Sequence, residues 1–277
     1  MKLSCMLFPF HAGIASGELT PSGLVDDFQK AGIQALEPML SNLDAEPKWA
    51  ELMQVAKSSG MVFSCLDVGV NFIGETPSDR AAALATVKRG LDFCAAIDCK
   101  IALLPGTRPA PGMSNEEGRK LYAEGLAKSA ELAKPLGIVT CIEDFGVYPE
   151  FACHSKHVLE VVTLAGPGTM VAWDNGNFIL ADEMPMDALP PLWDRTCHVH
   201  IKDFLLDETG QAGLKTPSGK AYKSIPMGEG DCQIRECVAE LKRRDYEGWI
   251  SLEVGIAPPV EDAILGAEVV QKAWNMG

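Results

Sequence analysis

The chain has 277 residues, 47% of them hydrophobic, with a formal net charge of −14, nine cysteines and five histidines. That length suits one large α/β barrel or two ordinary domains, and the apolar fraction supplies a sizeable core. The acidic balance repels phosphate backbones and argues against a nucleic-acid partner; the short basic clusters Lys88–Arg89 and Lys242–Arg244 read as solvated helix faces.

No apolar run reaches the roughly 18 residues of a membrane span. Met1 to Phe10 carries one lysine and no small-residue cleavage site, so it reads as a first strand and not as a signal peptide. The odd cysteine count shows no paired zinc-type spacing. Cys5, Cys65, Cys141 and Cys197 sit in apolar strand-like runs where a thiol acts as a small hydrophobe. A reducing compartment and a cytoplasmic location are the expectation.

Short apolar runs alternate with longer amphipathic ones from end to end. The pattern predicts strands near 2–8, 34–38, 61–67, 100–105, 138–144, 170–175, 197–203 and 249–254. Between and after them it predicts helices near 21–31, 47–59, 79–97, 115–136, 155–165, 184–190, 232–244 and 260–274. The run 115–136 carries Leu121, Leu126 and Leu132 at helical spacing, Gly32, Gly60 and Gly137 stop three helices, and Asp231 is placed to cap another. Such βα repeats, with no linker between them and no Gly-rich dinucleotide fingerprint after the first strand, predict a single-domain (β/α)₈ TIM barrel over 1–277. Two loops at its C-terminal face stand out. Residues 204–226 carry Lys215, Lys220 and Lys223 and read as a lid or substrate loop; Gly106–Gly112 carries Arg108.

The seventh strand reads Cys197-His-Val-His-Ile-Lys-Asp203. Alternation puts His198, His200 and Lys202 on one face, with Cys197, Val199 and Ile201 on the other. The fifth, sixth and eighth strands end in Glu143, Asp174 and Glu253, all able to point inward with His200, while Ile142, Trp173, Ile201 and Leu252 face the helices. Three carboxylates crowded at one barrel mouth repel unless protonated or neutralised. Together with one imidazole they suit a divalent ion: Mn²⁺, Co²⁺, Zn²⁺ or Mg²⁺. His198, one pleat deeper than His200, reads as a structural or hydrogen-bonding partner.

The motifs CIEDFG, WDNGN, HVHIKD, PMGEGD and GWISLEV resemble the sugar phosphate isomerase/epimerase group of the xylose-isomerase-like TIM barrels, which includes D-tagatose 3-epimerase and inosose dehydratase. The resemblance covers almost the whole chain. It implies one divalent metal held by Glu143, Asp174, His200 and Glu253, with Glu143 and Glu253 also the catalytic acid and base. It implies an isomerase or epimerase of a small sugar or polyol, working by proton abstraction beside a carbonyl through a metal-stabilised enediolate. Lys202, Asn177, Arg108 and His198 are the candidate substrate-site residues. The tagatose-type epimerases have a histidine where this chain has Asn177 and an arginine where it has Leu206, both substrate contacts there. A dehydratase of a keto-inositol-like substrate is the alternative, and a non-catalytic sugar-binding subunit is disfavoured by the intact ligand set. The related endonuclease IV branch needs more histidines than this acidic chain has. The sequence leaves a homo-oligomer open. The expected start of the helix after the seventh strand, Gly228-Glu-Gly-Asp231, places carboxylates where many barrels bind phosphate, so an unphosphorylated substrate is expected.

Overall fold

The structure, a computed structural model, describes every residue except 46, 75 and 257. The strands in chain order are β1 (Lys2–Met6), β2 (Ala35–Glu37), β3 (Val62–Phe63), β4 (Leu66–Asp67), β5 (Ile101–Leu103) and β6 (Val139–Glu143). They continue with β7 (Thr169–Asp174), β8 (Thr196–Ile201), β9 (Phe204–Leu206), β10 (Leu214–Lys215), β11 (Ala221–Ser224) and β12 (Trp249–Leu252). Nine of them form one parallel sheet in the order β3-β2-β1-β12-β8-β7-β6-β5-β4.

The two ends of that order are halves of a single strand, separated by Ser64 and Cys65. Ser64 N donates to Leu36 O at 3.0 Å and Asp67 N to Pro38 O at 2.9 Å, so β2 hands over from one half to the other. The sheet closes into the expected (β/α)₈ barrel. Its strands are buried on both faces, as parallel strands covered by helices must be. Ile142, Trp173, Ile201 and Leu252 pack into the large core between sheet and helices. Among the described residues no helix is long and apolar enough to cross a membrane.

The main helices match their sequence signals. Pro77–Ile97 and Asn115–Ala133 each open on a reciprocal capping box, Thr76 with Asp79 and Ser114 with Glu117. Gly32, Gly60 and Gly137 follow helical turns at φ of +79°, +81° and +64°, a region that only glycine occupies cheaply. Leu132, on the predicted stripe, is 39% exposed; the buried face is carried instead by Tyr122, Leu126, Ser129 and Ala133.

Three local expectations change. Cys197 does not share the outer face with Val199 and Ile201: it packs inside the barrel near Cys65, Cys141 and Ala172. The cause is a register shift, in which Val171 pairs with Thr196 but Ala172 pairs with His198, so one extra residue enters β8 and the alternation slips. Asp231 does not cap the next helix. That helix, Ile234–Arg243, starts after Gln233 with no side-chain cap, while Asp231 Oδ2 accepts from Leu206 N at 2.8 Å. Third, the 204–226 segment is an ordered antiparallel ribbon, β10-β11-β9. Phe204 and Tyr222 pack with Ile179 and Leu180 under it, and Ser218 bonds Asp182 through both N and Oγ.

Candidate metal centre

Four strand ends meet at the C-terminal mouth. Glu143 ends β6, Asp174 ends β7, His200 lies one residue from the end of β8, and Glu253 follows β12 directly. Because these strands are hydrogen-bonded neighbours in the order β12-β8-β7-β6, side chains at equivalent heights must crowd. Each of the four residues offers an atom within 4.8 Å of the others.

His200 is fully buried and sits between two carboxylates. Its Nδ1 is 2.6 Å from Glu143 Oε1 and its Nε2 is 3.0 Å from Glu37 Oε1. Asp174 Oδ2 and Glu253 Oε2 both lie 3.9 Å from the same Nδ1. Burial opposes charge on the ring, but Glu37 and Glu143 outweigh it and hold the imidazole pKa well above its ordinary value. Glu37 answers in kind: burial alone would raise it, yet His198 and His200 keep it well below the usual carboxylate range.

Asp174 holds its place by serving as a helix cap. Its Oδ1 accepts from Gly176 N at 2.8 Å and Asn177 N at 3.0 Å, opening the short helix Asn175–Leu180 that the sequence did not signal. The other oxygen, Oδ2, is buried and takes no hydrogen bond. Lys202 Nζ is 3.0 Å from it, as an ion pair off the hydrogen-bonding direction, and 2.6 Å from Glu253 Oε1. Burial is the largest influence on Asp174 and, despite Lys202, pushes its carboxyl up to about 8. Lys202 is also buried, which by itself would discharge it, but Asp174 and Glu253 hold its pKa well above the ordinary lysine value.

The donor set fits a divalent cation. Three carboxylates and one imidazole converge, Asp174 Oδ2 takes no hydrogen bond, and burial, with Glu253 and Glu143 beside it, pushes the Asp174 carboxyl up to about 8 against the pull of Lys202. A second convergence, Glu37 with Cys65 and His198, lies deeper in the lumen. There Glu37 already has one oxygen on each imidazole, with His198 Nε2 at 2.9 Å, so it acts as the support of His200.

Over this floor lies a cavity of about 480 Å³, into which Lys202, Asn177 and Glu253 project. Lys202 Nζ donates to Asn177 Oδ1 at 3.3 Å. The remaining substrate-site candidates lie elsewhere. His198 is fully buried beneath His200, its ring edge-on at 5.1 Å, and does not line the cavity. Arg108 lines a neighbouring groove with Tyr148 and Lys215, its guanidinium 6.0 Å from the Tyr148 ring centre.

Sequence reasoning missed Glu37, Asp144 and Asp203. Asp144 Oδ1 accepts from Asp174 N at 2.9 Å and fixes the backbone that presents the ligand. Asp203 accepts from the amides of Gly228, Gly230, Phe204 and Cys232 and ties β8 to the turn before the next helix. Glu37 ends its strand as Glu143 does, a signal that was present in the second strand.

Known proteins share the fold. The chain is 24% identical over 237 residues to L-ribulose-5-phosphate 3-epimerase UlaE of Shigella flexneri, covering 82% of this chain and 77% of that protein. A D-tagatose 3-epimerase-like structure superposes with a TM-score of 0.77 at 16% identity, covering 100% of this chain and 98% of the other. The probable 3-DHS dehydratase AsbF of Bacillus anthracis gives 0.74 at 15% identity, covering 98% and 99%. The family model for the xylose isomerase-like TIM barrel matches residues 25–273, nearly the whole barrel with all four converging donors inside it. The chain belongs to the xylose isomerase-like TIM barrel family.

Proposed function

We propose that this protein is a divalent-metal-dependent epimerase or isomerase of a keto-sugar or related polyol, with Glu143, Asp174, His200 and Glu253 as the metal ligands. The observation that carries the reading is the convergence of those four donors beneath a cavity that can admit a small molecule. The curated relative acts on a pentulose phosphate at C3, which is the same class of carbon acid.

A cation in this site would polarise the substrate carbonyl and lower the acidity barrier at the adjacent carbon. The protein's own groups supply the rest. Glu253 and Glu143 come from opposite ends of the four-strand run, so one carboxylate oxygen takes the proton from carbon and the other returns it from the second side. Lys202 and His200 hold Glu253 below its ordinary pKa against the opposing effect of burial, so it stands ready as the base. Lys202, charged and at the cavity floor, stabilises negative charge that develops on a substrate oxygen. Asn177 orients the ammonium.

One observation favours a second outcome. Lys202 Nζ faces the cavity, and if it protonates a departing hydroxyl after the same proton abstraction the reaction is a dehydration. Metal-dependent deuterium incorporation from D₂O into a panel of ketoses, sugar phosphates and keto-inositols tests the first step. Product analysis then separates epimer from dehydrated ketone. No incorporation into any of them by the metal-loaded protein would overturn the proposal.

A further inference from the structure

The cavity above the centre has a floor for a keto-sugar but walls of another character. Phe8, Leu180, Phe204, Ile225, Met227 and Ile256 line it, and Phe8 stands 40% exposed at the mouth. Lys202 is the one cationic side chain among the described lining residues, and it lies at the floor, 2.6 Å from Glu253 Oε1 and 3.0 Å from Asp174 Oδ2, not on the walls. The other charged groups are carboxylates. Asp203 spends its oxygens on four backbone amides. Asp262 lines the wall at 3% exposure, gives Oδ2 to the amides of Gly255 and Ile256, and leaves Oδ1 without a hydrogen bond. Arg108 and Lys215 line the neighbouring groove and not this cavity.

These walls select against two kinds of ligand. At the remote end a phosphate or carboxylate would give up water to walls that carry no cationic side chain among the described lining residues. A fully hydroxylated tail would give up water to walls whose side chains are mostly apolar, with Ser224 and Asn177 the neutral polar ones among them. On the reading that a keto-sugar reacts at the floor, we propose that the substrate is uncharged and apolar at its remote end. A deoxy carbon or an O-alkyl or O-aryl group there packs against Phe8, Ile225 and Ile256.

Calorimetric binding to the full metal-loaded chain tests this with matched probes. Phenyl β-D-glucoside should bind at least tenfold more tightly than methyl β-D-glucoside, and L-ribulose 5-phosphate no more tightly than L-ribulose. Ile225→Ser and Ile256→Ser, at half-exposed positions, should abolish most of the phenyl advantage at unchanged metal content. Ile225→Lys should raise affinity for the phosphorylated probe. Equal affinity for phenyl and methyl glucosides, or a tenfold preference of the native chain for the phosphate, would overturn the inference. Failure of every keto-sugar to exchange deuterium while the phenyl preference stands would remove the proposed reaction and leave the apolar pocket intact.

Discussion

Glu37 Oε1 lies 3.0 Å from His200 Nε2, and this contact decides which nitrogen of the histidine faces the metal centre. A carboxylate accepts from an N–H, so Nε2 carries a hydrogen to Glu37; a bound cation would take the place of the Nδ1 proton that now faces Glu143 Oε1 at 2.6 Å. Glu37 comes from β2, which β1 separates from β12, β8, β7 and β6, the strands that carry the four donors. Its role is therefore to position His200.

Glu37→Gln tests that role. The amide keeps the shape but replaces one acceptor with a donor, and two imidazoles then compete for one oxygen. Metal affinity should fall by roughly 10–100-fold, the usual cost of losing such a partner. Titration against a chelator of known affinity measures it, and an unchanged dissociation constant would show that Glu37 merely fills the lumen.

His200→Ala should reduce bound metal from about one ion per chain to a small fraction, with deuterium exchange lost in parallel. Metal analysis after gel filtration gives the stoichiometry. Full stoichiometric metal in a Glu143→Ala, Asp174→Ala double variant would place the ion elsewhere.

Gly176 faces Lys202 so closely that a Cβ added there would stand 2.3 Å from Lys202 Cγ and 2.9 Å from Cδ. Gly176→Ala must therefore swing the lysine away from Glu253 and Asp174, whereas the four metal donors keep their backbone supports. The expected result is a fall in kcat of at least about tenfold, equivalent to ~1.4 kcal/mol in the barrier, with metal content unchanged. Equal kcat would mean that the ammonium takes no part in turnover.

A pH effect away from the centre is also readable. His157, on the helix Ser155–Ala165, is driven by burial first, and then by Arg119 and Lys156, from the ordinary 6.5 down to about 4. Between those values the unfolded chain binds a proton that the folded one refuses. Its contribution is fully present above about pH 6.5 and is lost as pH falls towards 4. The native Tm should therefore drop more steeply over that interval than the Tm of His157→Gln, and parallel curves would contradict this.

The barrel and the four donors were legible because both rest on period. Apolar runs alternate with amphipathic ones, and a carboxylate or histidine closes each of four neighbouring strands. What escaped depends on contacts between distant elements. Cys197 turned inward because β7 and β8 pair through a register shift, which no single strand encodes. Glu37 and Asp67 also end their strand segments in carboxylates, but their partners across the lumen emerge only once the sheet has closed. Burial is the main reason that Asp67 stands well above its usual pKa, with Glu37 adding to it. The short helix after Asp174 has little propensity of its own and exists because that carboxylate caps it.

Asp203 supplies the last test. In many barrels the turn before the helix after strand seven presents backbone amides to a substrate phosphate. Here the Asp203 carboxylate occupies that position from within the chain, 2.8 Å from Gly228 N, 2.9 Å from Gly230 N and 3.3 Å from Cys232 N. The fit is close: a Cβ on Gly230 would stand 2.3 Å from Asp203 Oδ1 and 2.4 Å from Phe204 O, so Gly230→Ala should itself lower the Tm. Asp203→Asn sets an NH₂ against backbone donors and should cost about 1–3 kcal/mol of stability, the penalty for stranding buried polar groups. Asp203→Gly should go further and open the turn to an external anion. Inorganic phosphate should then raise the Tm of Asp203→Gly by several degrees while leaving the native chain unmoved, because only the variant has amides to offer. A native Tm that climbs with phosphate as steeply as that of the variant would mean that the chain already holds an anion site, and the case for an uncharged substrate would fall with it.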